Sequence, residues 1–95
     1  MSRTIDVARV SDGDPLVFDV TLREGASETR HRVTLAQAHF LALSGGATAE
    51  ATIEAAFRFL LDREPKEAIL ARFDVSVIAR YFPEFEERLP DYLAR

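Results

Sequence analysis

The sequence predicts an α+β fold, with an N-terminal three-stranded antiparallel meander followed by three to five short helices packed on one sheet face. Three observations carry this. Apolar residues alternate with period two up to about residue 35, they recur with a period near 3.6 beyond it, and 95 residues suffice for one core only. One domain over 1–95 is therefore expected, with strands over about 3–35 and a helical half over about 35–93.

The surest strand is Leu16-Val17-Phe18-Asp19-Val20-Thr21-Leu22-Arg23, whose even positions are apolar while Asp19, Thr21 and Arg23 point the other way. Ile5 and Val7 alternate before the turn formers Ser11-Asp12-Gly13-Asp14-Pro15, which close a first hairpin. A third strand, Glu28 to Leu35, follows the turn Glu24-Gly25-Ala26-Ser27. Pairing Arg23 with Glu28 sets Thr21 opposite Arg30 and Asp19 opposite Arg32 on the wet face. The same register sets Phe18 opposite Val33 and Leu16 opposite Leu35 on the core face.

Thr34-Leu35-Ala36-Gln37 has the form of a capping box, which predicts a short helix to about Leu43 ended by Gly45-Gly46. Thr48 caps a second helix, with Ile53, Ala56, Phe57, Leu60 and Leu61 inward and Glu54, Arg58 and Asp62 outward. Pro65 interrupts that pattern and starts a short helix over Lys66 to Phe73, with Ile69, Leu70 and Phe73 inward. Asp74 or Ser76 caps a further segment with a Val77, Ile78, Tyr81 and Phe82 stripe, stopped by Pro83. From Glu84 to Arg95, Phe85, Leu89, Tyr92 and Leu93 keep near-helical spacing around Pro90. Leu60, Ile69, Ile78 and Phe82 are expected in the main core.

Composition narrows the function. At 47% hydrophobic and 29% charged the chain is a globular one. With no cysteine it has no disulfide scaffold, thiolate zinc site or cysteine nucleophile. No N-terminal apolar run and no stretch of membrane-spanning length is present, so a cytoplasmic protein without a membrane partner is expected. Net charge is −4, with five basic against six acidic residues up to Ala47 and seven against ten after it, a balance that argues against nucleic acid.

Residues 59–70, Phe59-Leu60-Leu61-Asp62-Arg63-Glu64-Pro65-Lys66-Glu67-Ala68-Ile69-Leu70, continue as Phe73-Asp74-Val75-Ser76-Val77-Ile78 and Arg80-Tyr81-Phe82-Pro83-Glu84-Phe85. This block resembles that of a group of small uncharacterised bacterial proteins, over about residues 31–87. The resemblance implies a bacterial cytoplasmic source and a hairpin-then-helices order. The group has no assigned activity, so no catalytic or binding residue carries over, but the Arg63-Glu64-Pro65-Lys66 corner becomes a place to look.

Three constellations compete with structural readings. Gly45-Gly46 ahead of Thr48 resembles an anion-binding loop, although a glycine C-cap followed by a threonine N-cap explains each residue. His31 falls on the core side near Val20 and His39 on the first helix; the two are placed to face one another, without metal-ligand spacing. The acidic end formed by Glu84, Glu86, Glu87 and Asp91 is read as a solvated face.

Residues 66–82 also read as a helix-turn-helix, the alternative function being DNA binding. Its second helix would offer essentially Arg80 alone to bases. No catalytic, cofactor or metal residues are predicted. The expected role is a non-enzymatic protein-interaction or regulatory module, with an unidentified protein partner or self-association. The candidate interaction surface is Phe59, Arg63, Lys66 and Arg80, Phe59 because it falls off the inward stripe of its helix.

Overall fold

Alternation in the first third of the chain resolves into a meander in the computed structural model, which describes residues 3–94. Strands β1 (Arg3–Ser11), β2 (Leu16–Glu24) and β3 (Ser27–Leu35) are followed by helices α1 (Gln37–Ser44) and α2 (Ala49–Leu61). A 3-10 turn (Lys66–Ala68), strand β4 (Arg72–Asp74), a second 3-10 turn (Val75–Val77), and helices α3 (Ile78–Tyr81) and α4 (Phe85–Leu93) complete the chain. Arg95, the end of the expected tail, lies outside the described residues.

The fold is α+β, and the β2–β3 register is the expected one: Arg23 opposes Glu28, Thr21 Arg30, Asp19 Arg32, Phe18 Val33 and Leu16 Leu35. Asp19 and Arg32 form a two-pronged ion pair at 2.8 and 2.9 Å on the open face. The other face buries Leu16, Phe18, Val20, Leu22, Val33 and Leu35. Helix α2 covers it, packing on β1 at one side and on α4 at the other. On the covered side of β1, Arg9 reaches Glu50 of α2 with two hydrogen bonds at 2.7 and 2.9 Å.

The sheet has a fourth strand that period reading missed. β4 pairs in parallel with β3, Arg32 opposing Arg72, Val33 Phe73 and Thr34 Asp74. The expected helix over Lys66 to Phe73 is therefore absent: a three-residue 3-10 turn is all that forms before the chain extends. Pairing with β3 overrides the local helical spacing, and Leu70, expected inward, is 49% exposed. The helix-turn-helix over 66–82 loses its first helix for the same reason, so the motif that would dock DNA is not formed.

A second correction concerns α1. Thr34 does not cap it: Thr34 lies in β3, and its hydroxyl donates to Asp74 Oδ1 at 2.6 Å. The cap comes from the first hairpin turn instead. The Gln37 amide donates to Asp14 Oδ1 at 3.1 Å, and the Gln37 side chain donates to the Gly13 carbonyl at 3.1 Å. Gly45 ends α1 in the left-handed conformation (φ 57°), and Thr48 Oγ1 accepts from the Ala51 amide at 3.1 Å at the start of α2. The glycine-threonine segment is thus a pair of helix caps.

Candidate functional site

The last turn of α2 sets up a corner. Asp62 and Arg63 leave the helix, Pro65 carries the chain into the 3-10 turn, and Ile69 (7% exposed) drops into the core. The segment that follows is fastened to β3 at three points. His31 is buried, and its Nδ1 lies 2.7 Å from the Leu70 carbonyl, an acceptor that requires the hydrogen on Nδ1. Its Nε2 lies 2.9 Å from the Thr29 hydroxyl. The Arg32 amide donates to the Ala71 carbonyl at 2.7 Å, and Thr34 holds Asp74 as described. Asp74 also accepts from the Ser76 amide at 3.0 Å and so starts the turn into α3.

Between the end of α2, this extended segment and α3 lies a pocket of about 230 Å³. Leu60, Ile69, Phe73, Ile78 and Phe82 form its apolar interior, with Val77 and Ala68 beside them. Leu70 and Tyr81, which also line it, are 49% and 69% exposed, so two large side chains stand at its mouth in water. Glu64 is the one charged residue among the lining.

The predicted interaction residues divide sharply. Phe59 is fully buried, which corrects the expectation that it leaves the core. It contacts Phe85, Tyr92 and Phe82 edge-on, with ring centres 5.1, 5.8 and 5.9 Å away. The Arg63 guanidinium lies 3.6 Å from the Phe59 ring centre and donates to Glu84 at 3.1 Å and to the Tyr92 hydroxyl at 3.3 Å. Lys66 is only 3% exposed, and its ammonium donates to Glu67 at 2.7 Å and to Glu24 at 3.2 Å. The Glu67 hydrogen bond holds the Lys66 ammonium above its usual range against the opposing effect of burial. Arg63 and Lys66 are thus structural cations of the corner.

Arg80 differs. It is exposed, adjoins Tyr81 at the pocket mouth, and has no hydrogen bond or ion pair among the described residues. The basic residues from Arg3 to Lys66, and Arg88, are in ion pairs, whereas Arg72 and Arg80 are in none among the described residues. Glu64, half-buried in the pocket wall, likewise has no partner for its carboxylate among the described residues.

Sequence reasoning missed Glu64, Leu70 and Tyr81 as site residues. Leu70 and Tyr81 sit at helical spacing from core residues, but the extended segment before β4 leaves Leu70 outside and Tyr81 stays 69% exposed at the end of the short α3.

The remaining constellations dissolve. His31 and His39 do not bond one another: His39 Nε2 lies 3.3 Å from Glu86 and ties α1 to α4. In the acidic end, Glu84 holds Arg63 and Asp91 lies 3.8 Å from Arg88. Among the described residues no group of three or more His, Cys, Asp or Glu is placed to hold a metal, and no helix is long and apolar enough to cross a membrane. No family model, curated protein or solved structure matches the chain.

Proposed function

We propose that this protein is a non-enzymatic interaction module of the cytoplasm whose working surface is the pocket between α2, the extended segment 69–74 and α3. The single observation that carries the reading is an apolar interior opening between two exposed large side chains, Leu70 and Tyr81. Exposed apolar groups that converge on a concavity are the usual mark of a binding surface, whereas scattered ones are not. At about 230 Å³ the pocket is smaller than the range of roughly 300–1,000 Å³ typical of small-molecule and cofactor sites, and it suits one large side chain. Its polar content is a carboxylate and a phenol, without the nucleophile and base pair that covalent catalysis needs.

The test is selection of random displayed peptides on the immobilised protein, followed by affinity measurements on a Leu70→Glu variant. Binders with a bulky apolar residue, weakened about tenfold or more by the added charge, are the expected result. Binders indifferent to Leu70→Glu and to Val77→Glu would place the interaction surface elsewhere and overturn the reading.

A further inference from the structure

We propose that the pocket takes a basic peptide: its occupant is a segment of a partner protein that sets a lysine or arginine beside the bulky apolar anchor, and Glu64 is the residue that selects it. The inference rests on the interaction reading of the pocket and adds the chemistry of its partner.

What carries it is an uncompensated carboxylate on an apolar wall. Glu64 is half-buried and is the one charged residue among the lining, where Leu60, Ile69, Phe73, Ile78 and Phe82 form the interior. Two cations lie within two positions of it in the chain, and both are committed elsewhere: Arg63 donates to Glu84 at 3.1 Å and Lys66 to Glu67 at 2.7 Å. Among the described residues every other aspartate and glutamate except Glu87 has a hydrogen-bond or ion-pair partner. Glu87 is exposed on α4 and does not line the pocket. Glu64 is thus the carboxylate that is partly out of water and has no donor among the described residues.

That arrangement sets what the pocket accepts. An apolar side chain that seals the mouth takes the remaining water from Glu64, and a carboxylate buried without a donor costs at least as much as a lost hydrogen bond. A neutral apolar peptide is therefore penalised. A guanidinium or ammonium one or two residues from the anchor removes the penalty, and its attraction to the carboxylate strengthens where apolar walls displace water. An acidic peptide is repelled by Glu64 and by the net charge of −4 on the whole chain. Leu70 and Tyr81, exposed at the mouth, offer apolar surface to the methylene stem of the same lysine or arginine.

The probes are peptides selected from a random displayed library on the immobilised protein and kept because Leu70→Glu or Val77→Glu weakens them. Lys or Arg within two positions of a bulky apolar residue is expected among them. For such a peptide, Glu64→Gln is expected to weaken binding about fivefold or more, and replacing the peptide's basic residue by glutamine should lose about the same factor. Making both changes should lose little beyond either alone, because the two charges act on one another. Glu64→Lys should weaken binding further and be rescued by a peptide with glutamate in place of its basic residue, a recovery that an unfolded variant does not give. Glu87→Gln removes the same charge outside the pocket and should leave affinity unchanged.

Pocket-dependent binders that lack the basic residue, or that bind wild type and Glu64→Gln equally, overturn the inference and leave the pocket reading standing. Losses that simply add in the double change overturn it as well. An equal loss with Glu87→Gln would reduce the effect to net charge and has the same consequence. If no selected peptide responds to Leu70→Glu or Val77→Glu, both readings fall together.

Discussion

Asp74 joins three elements through one carboxylate. It ends β4, takes the Thr34 hydroxyl of β3 at 2.6 Å, and takes the Ser76 amide at 3.0 Å at the start of the turn into α3. Partial burial pushes its carboxyl up, but the hydrogen bonds from Thr34 and Ser76 outweigh it and hold the group below its ordinary 3.8. A native value below the unfolded one means that this stabilisation is complete well above 3.8 and is lost as pH falls through the depressed native value. Replacing Asp74 by Ala is expected to cost about 1–2 kcal/mol at neutral pH, the sum of a lost cap and a side-chain hydrogen bond. The difference from wild type should shrink in urea melts as pH is lowered through that depressed native value, where the native carboxyl also takes up its proton. A variant whose deficit is unchanged in acid would show that Asp74 acts through its size alone.

At the scale of elements, the meander is legible because its determinants are local and redundant. Alternation sets which face of β2 is buried, and a slip of one residue would break the Asp19–Arg32 and Thr21–Arg30 pairs while exposing Phe18. β4 is not legible. It is three residues long, and the spacing of Ile69, Leu70 and Phe73 fits a helix until β3 offers its edge. The pocket inherits that blindness, since Leu70 and Tyr81 face water only because β4 and the four-residue α3 form. α1 illustrates the same limit, because Thr34 and Gln37 have capping-box spacing but find partners elsewhere, in Asp74 and in the first hairpin turn. Asp14→Ala is therefore expected to destabilise the fold by about 0.5–2 kcal/mol, the usual value of a helix cap. In double-mutant cycles Thr34→Val should couple to Asp74→Ala and be additive with Gln37→Ala. Coupling between Thr34 and Gln37 would instead restore the local cap.

At the scale of the molecule, α2 is buried on nearly every side because the one core extends around it, with the sheet on one side and α4 on the other. Phe57 faces the sheet, with ring centres 5.6 Å from His31 and 5.9 Å from Phe73, while Phe59 faces α4 and the end of α3. This accounts for most aromatics of the helical half, which fill the α4 side of the core, whereas Tyr81 alone of the large helical-half aromatics stands largely exposed. Phe59 and Tyr81 should accordingly separate folding from association. Truncating Phe59, which is fully buried among three rings, should cost about 3–5 kcal/mol, a large share of the roughly 5–15 kcal/mol typical of a small domain. Tyr81→Ala removes a ring that is 69% exposed, so its cost should stay within about 0.5 kcal/mol. Urea unfolding at low protein concentration checks both, the expected result being a lowered midpoint for Phe59→Ala without a change in slope and an unmoved midpoint for Tyr81→Ala. A Phe59→Ala variant as stable as wild type would show that the α4 side of the core adds little, and a Tyr81→Ala variant that unfolds early would return that ring to the fold and take it from the pocket mouth.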